Sequence, residues 1–186
     1  MTVLGATLAA AFTCGWLPMY AFRAESLSDA LPSYAGSERL WVCVTPVVLS
    51  LHMAAGCVLL TLAPRIPAAS ALLGVGTFAG ALAFWFWGRA SIGPLRRRRL
   101  PDAPPERFCR DGAFGIVRHP LYFGYLLAAS APLFVVPHPT LAATFASCAV
   151  ALAIRALQEE RRLRRHLGAS YDAYCRTVKR LLPFVW

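Results

Sequence analysis

Acidic residues and ordinary polar surface are what this chain has least of. Of 186 residues only nine are Asp or Glu, and all charged residues together make 15%, against 58% hydrophobic. A soluble domain of this length needs more polar exterior than that to meet water, so a water-soluble globular protein is excluded. Charge is also nearly missing from one long stretch: between Leu40 and Trp87 the single charged residue is Arg65. The six cysteines contain no C-x-x-C pair, and four of them (Cys14, Cys43, Cys57, Cys148) lie in apolar stretches, where cysteine acts as a small hydrophobe. No disulfide and no metal site is assigned. No basic residue precedes Arg23, which argues against a secretory signal, and residues 1–22 are read as a retained membrane helix. The net charge of +10 comes from basic residues clustered beside apolar stretches. Anionic lipid headgroups are its simpler counter-charge, and nucleic acid is not expected.

What the chain does have is apolar sequence in five blocks: Val3–Phe22, Trp41–Ala63, Ala68–Trp87, Leu121–Val136 and Leu141–Leu157. About 20 residues of helix cross a hydrocarbon core about 30 Å thick. The pattern therefore predicts an all-α, polytopic membrane bundle of about five transmembrane helices. The fourth block is shorter and carries Pro132. Pro137-His138-Pro139 forces a tight turn, making the fourth and fifth blocks an antiparallel hairpin. No Pro or Gly interrupts Leu141–Leu167, so one helix runs on for about 40 Å, past the bilayer, to a cap at Gly168. Tyr171, Tyr174, Val178 and Leu181 then recur at three- and four-residue spacing, the mark of a C-terminal amphipathic helix. Basic residues fix the orientation. Arg89, Arg96 to Arg99, Arg107, Arg110 and Arg118 lie in one loop, and Arg155, Arg161, Arg162, Arg164, Arg165, Arg176, Lys179 and Arg180 in the tail. Both are expected on the cytoplasmic side. Residues 1–88 then form a scaffold of three spans, and residues 89–186 carry the chemistry.

Two clusters exceed what a structural helix needs. In Gly112-Ala113-Phe114-Gly115-Ile116-Val117-Arg118-His119-Pro120-Leu121-Tyr122-Phe123-Gly124, two side-chain donors stand at a helix mouth and Pro120 suits its first turn. Free backbone N–H groups and the helix dipole there favour a carboxylate ligand, and Gly112, Gly115 and Gly124 would let a flat ligand approach. A positive-inside anchor with a belt tyrosine explains the same residues. In Arg155-Ala156-Leu157-Gln158-Glu159-Glu160-Arg161-Arg162, two adjacent acids end an apolar span. Helical pairs of Arg155 with Glu159 and of Glu160 with Arg164 are the bland account. A cationic ligand is the functional one, and the hairpin brings both clusters to one membrane face. His52 and His138 lack metal-ligand neighbours and are read as structural.

The string RHPLYFG (Arg118 to Gly124), then Arg155-x-x-x-Glu159-Glu160-x-x-Leu163, then Leu167-Gly168-x-x-Tyr171-x-x-Tyr174-x-x-x-Val178 and Leu182-Pro183, resembles the isoprenylcysteine carboxyl methyltransferase family and its phospholipid methyltransferase relatives. The resemblance covers Gly112 to Pro183 and departs at Ala113, Phe114 and Gly115, where the family often has proline, tyrosine and arginine. It implies S-adenosyl-L-methionine held by Arg118, His119, Pro120, Tyr122, Gly124, Glu159 and Glu160, with one of the acids on the donor's ammonium group. It also implies a lipophilic acceptor, isoprenylcysteine-carboxylate-like or a lipid amine, with Arg162 and Arg165 as weaker candidates for holding it. Catalytic residues are not assigned. Two other readings stay open at this point: a membrane reductase using NADPH, and a non-enzymatic membrane protein.

Overall fold

A computed structural model describes residues 2–30, 36–96 and 108–185; Arg97 to Arg99 and Arg107 of the basic loop lie outside them. Among the described residues six α-helices follow one another: α1 (Val3–Ala30), α2 (Gly36–Leu62), α3 (Ala68–Arg96), α4 (Pro120–Val135), α5 (Pro139–Leu167) and α6 (Ala169–Thr177). A short 3-10 turn, Gly112–Gly115, precedes α4. Three helices among the described residues are long and apolar enough to cross a membrane, within Gly36–Leu62, Ala68–Ile92 and Pro139–Leu167; two shorter apolar helices are Val3–Met19 and Pro120–Val135. At about 1.5 Å per residue, the 16 residues of α4 reach only about 24 Å, short of a core about 30 Å thick.

The helix ends follow local chemistry. Pro120 takes the first position of α4, where its missing N–H leaves no hydrogen bond unmade. His138 caps α5 by accepting from the Thr140 amide at 3.2 Å, and Pro139 occupies the first turn. Gly168 ends α5 at φ 52°, a conformation open to glycine, and its N–H donates to Arg164 O at 2.9 Å. α1 runs to Ala30, past the expected end at Phe22, since no Pro or Gly stands between them to stop it. α6 stops sooner than the Tyr171–Leu181 spacing suggests: Val178 is already extended, for a reason that belongs to the site.

The core runs through α1 to α5 and holds Phe12, Trp16, Met19, Leu49, Met53, Phe78, Trp85, Tyr125 and Leu152. α3 and α4 pack most extensively. Their approach is close because Gly124 faces Trp85: a Cβ on Gly124 would lie 2.9 Å from Trp85 Cβ. At this glycine the close neighbour is thus a helix. His52, fully buried on α2, joins three helices. Its Nε2 donates to Ala129 O on α4 at 2.7 Å, and Thr144 Oγ1 on α5 lies 2.7 Å from Nδ1. Gly124→Ala is expected to overpack the α3–α4 seam and cost about 1–3 kcal/mol, read as a lowered unfolding temperature in detergent; an unchanged temperature would mean the seam is looser than described.

Candidate functional site

The site begins with a carboxylate that has almost no water. Glu160 on α5 is 1% exposed, and an ion this deeply buried costs several kcal/mol unless its oxygens are paired. They are. Arg118 Nε donates to Oε1 at 2.9 Å, Arg180 Nε to Oε1 at 3.0 Å and Arg180 Nη2 to Oε2 at 3.0 Å. His119 Nε2 lies 3.4 Å from Oε1, and Arg164, one turn along α5, reaches Oε2 only at 4.0 Å. The strong partners of Glu160 therefore come from distant segments, and the helical pair expected from spacing is the weakest of the set.

This arrangement explains the end of α6. Arg118 Nη1 donates to the carbonyls of Cys175 (2.9 Å) and Val178, satisfying groups that a helix end leaves open. Beyond it the chain is extended and lies beside the entry to α4: Arg118 N donates to Lys179 O at 2.8 Å and His119 N to Arg180 O at 3.1 Å, with a parallel bridge between Val117 and Lys179. One of the backbone N–H groups expected to be free at this helix mouth, that of the N-cap His119, is thereby used. Tyr174 donates to Phe114 O at 2.6 Å, and Phe108 packs edge-on to Tyr171 at 5.2 Å, tying the loop to α6.

Glu159, next in the chain, is held differently. Its side chain is 43% exposed, its nearest ion partner is His119 Nδ1 at 3.6 Å, and the Tyr122 hydroxyl also bonds it. The His119 and Tyr122 rings stack, 5.3 Å apart and 3° from parallel. His119 thus stands between the two acids, one nitrogen toward each. Burial pushes its pKa down, but hydrogen bonds and charge from Glu159 and Glu160 outweigh this, and the net displacement from the ordinary 6.5 is upward.

Arg118, His119, Tyr122, Glu159 and Glu160 are thus brought into one cluster. Pro120 starts the helix that presents it, while Gly124 lies in the helix seam against Trp85. Arg165, 67% exposed, pairs with Glu38 at 3.3 Å, and Arg162 is half-buried on the same face-out part of α5. Arg180 is the member that sequence reasoning missed. Nothing in its spacing sets it apart from the other basic tail residues.

A buried ion cluster at the end of an apolar helical bundle defines a membrane protein with a polar site at the edge of its spans. The chain belongs to the isoprenylcysteine carboxyl methyltransferase family: the family model matches residues 73–165, half of the chain, and includes Arg118, His119, Tyr122, Glu159 and Glu160. Membership makes it a membrane methyltransferase by class. No curated protein and no solved structure matches it.

Because the folded-state pKa of His119 is raised, its charge stabilises the fold fully below the unfolded value near 6.5, and that contribution is lost as pH rises through the raised value. The unfolding temperature of the parent relative to His119→Gln is expected to be greatest below pH 6.5 and to shrink as pH rises; a difference that grows with pH would contradict the pairing.

Proposed function

We propose that the chain transfers a methyl group from S-adenosyl-L-methionine to a lipophilic acceptor at the membrane surface, on the side that its basic loop and tail assign to the cytoplasm. The observation that carries the donor assignment is the unequal state of the two acids. Glu160 is fully used by Arg118 and Arg180. Glu159 is the accessible carboxylate, braced by His119 and Tyr122. An exposed, oriented carboxylate beside a stacked ring pair fits an ammonium group and the edge of an adenosine-like ligand, so the donor's chemistry suits the residues present.

The geometry supports a role for each residue. Glu159 holds the ammonium, while His119 and Tyr122 fix the carboxylate's direction. Glu160, Arg118 and Arg180 lock the backbone at the mouth of α4 so that His119 is presented in one place. When bound, S-adenosyl-L-methionine supplies a sulfonium-activated methyl, a strong electrophile that requires no metal. The protein's task is alignment and exclusion of water. A carboxylate acceptor needs no general base, whereas an ammonium must first lose a proton. Arg165 is suited to an anionic acceptor or headgroup, since its exposed pair with Glu38 is worth only about 0–1 kcal/mol and yields readily to a competitor. Arg162 stands one turn before Arg165 and is the second candidate. α1 to α3 serve as scaffold, and α4, too short to cross the core alone, carries the entry to the site.

Glu159→Gln is expected to weaken S-adenosylhomocysteine binding by about 1.5–3 kcal/mol, roughly tenfold to a hundredfold, with little change in unfolding temperature. Glu160→Gln is expected to destabilise the fold itself, by about 3–5 kcal/mol, because its buried cations lose their counter-charge. Calorimetric titration beside thermal unfolding separates the two; parent-like ligand affinity in Glu159→Gln would remove the assignment.

A further inference from the structure

The extended segment that seats Arg180 on Glu160 continues into an apolar tip that stays exposed among the described residues. Leu181 is 3% exposed and anchors the segment in the core. Beyond it Leu182 is 37%, Val185 72% and Phe184 91% exposed, the last being the most exposed large hydrophobic side chain among the described residues. The local backbone adds to the cost. Val185 N donates to Leu182 O at 3.3 Å, closing a turn with Pro183 second and Phe184 third. Phe184 has φ 65°, the one positive value at a non-glycine residue among those described. The third place of a type II turn favours Gly or Asn because positive φ crowds a β-carbon. An aromatic residue held there, with its ring outward, is doubly unfavourable in water.

The surroundings say what covers it. Hydrogen bonds from Arg118 N and His119 N to the carbonyls of Lys179 and Arg180 put this segment level with Pro120, the first residue of apolar α4. That level is one edge of the apolar belt. From Arg180 to Phe184 the chain spans at most about 14 Å, so the tip stays near the headgroup zone. The exposed cations Arg176 and Lys179 flank it in the chain, with Arg161 and Arg165 exposed on adjoining α5. Apolar side chains at the tip and cations behind it are the two components of binding to an anionic phospholipid surface.

We propose that residues 182–185 are a membrane-docking tip, inserting Leu182, Phe184 and Val185 into the headgroup–acyl boundary of the bilayer that holds the helices. The bilayer then clamps one end of the strap whose other end, Arg180, holds Glu160. This inference does not depend on which methyl donor or acceptor the site takes.

The test places the photoreactive residue p-benzoylphenylalanine at Phe184, in full-length protein with its native cysteines, in nanodiscs of phosphatidylcholine and phosphatidylglycerol. After irradiation, mass spectrometry should find a phospholipid adduct on the 181–185 peptide, at a yield several-fold above that from the same probe at exposed Asp172. Adducts to a second copy of the chain, or lipid adducts no more frequent than at Asp172, would overturn the proposal. Should the Phe184 variant fail to fold, the probe at Val185 is read by the same criteria.

Discussion

A carboxylate taken out of water must be neutralised by whatever the fold can bring to it, and in this protein that demand organises the polar end of the bundle. Glu160 draws Arg118 from the entry to α4 and Arg180 from beyond α6, while Arg118 also holds the last carbonyls of α6. Segments separated by 42 and 20 residues along the chain are pinned to one side-chain oxygen. Each cation is itself poorly hydrated, with Arg118 at 7% and Arg180 at 16% side-chain exposure, so no member can leave without stranding another. Such a cluster contributes position more than stability. It fixes where the chain enters α4, and hence where His119 and Tyr122 stand.

From that fixed point the two neighbouring acids separate in role. Being adjacent on a helix, they point about 100° apart: Glu160 turns into the packed interior, and Glu159 toward the open side. His119 touches both and links the structural acid to the accessible one. This suits the proposed chemistry at a bilayer edge, where the donor would approach from water and an apolar acceptor from the bilayer. The oriented carboxylate must stay accessible, while its support must not depend on solvent.

Much of the helical layout was legible in the sequence because it rests on local rules. The Pro120 start, the Pro137–Pro139 turn, the Gly168 stop and the uninterrupted run to Leu167 each have a nearby cause. The two motif clusters were legible as chemistry out of place in an apolar chain. Their meeting followed from the Pro137–Pro139 turn. What the sequence hid is long-range. Arg180 sits among basic residues that the positive-inside tendency explains equally well. The spacing of Tyr171, Tyr174, Val178 and Leu181 reads as helix throughout, yet two pairings with the α4 entry pull its last part into an extended strap. Gly124 reads as room for a ligand and is filled by Trp85. In each case a partner remote in sequence decides.

If the proposed methyl-donor site spans the α4 entry and the acid-bearing end of α5, one ligand must protect both. Hydrogen exchange, followed by mass spectrometry with and without saturating S-adenosylhomocysteine, reads this. A ligand bound across both segments stabilises the closed state of each by an amount set by its concentration over Kd. Exchange should slow together in residues 112–124 and 159–167, and remain unchanged in the turn at residues 64–67. Protection of only one segment, or of neither at saturation, would contradict the shared site.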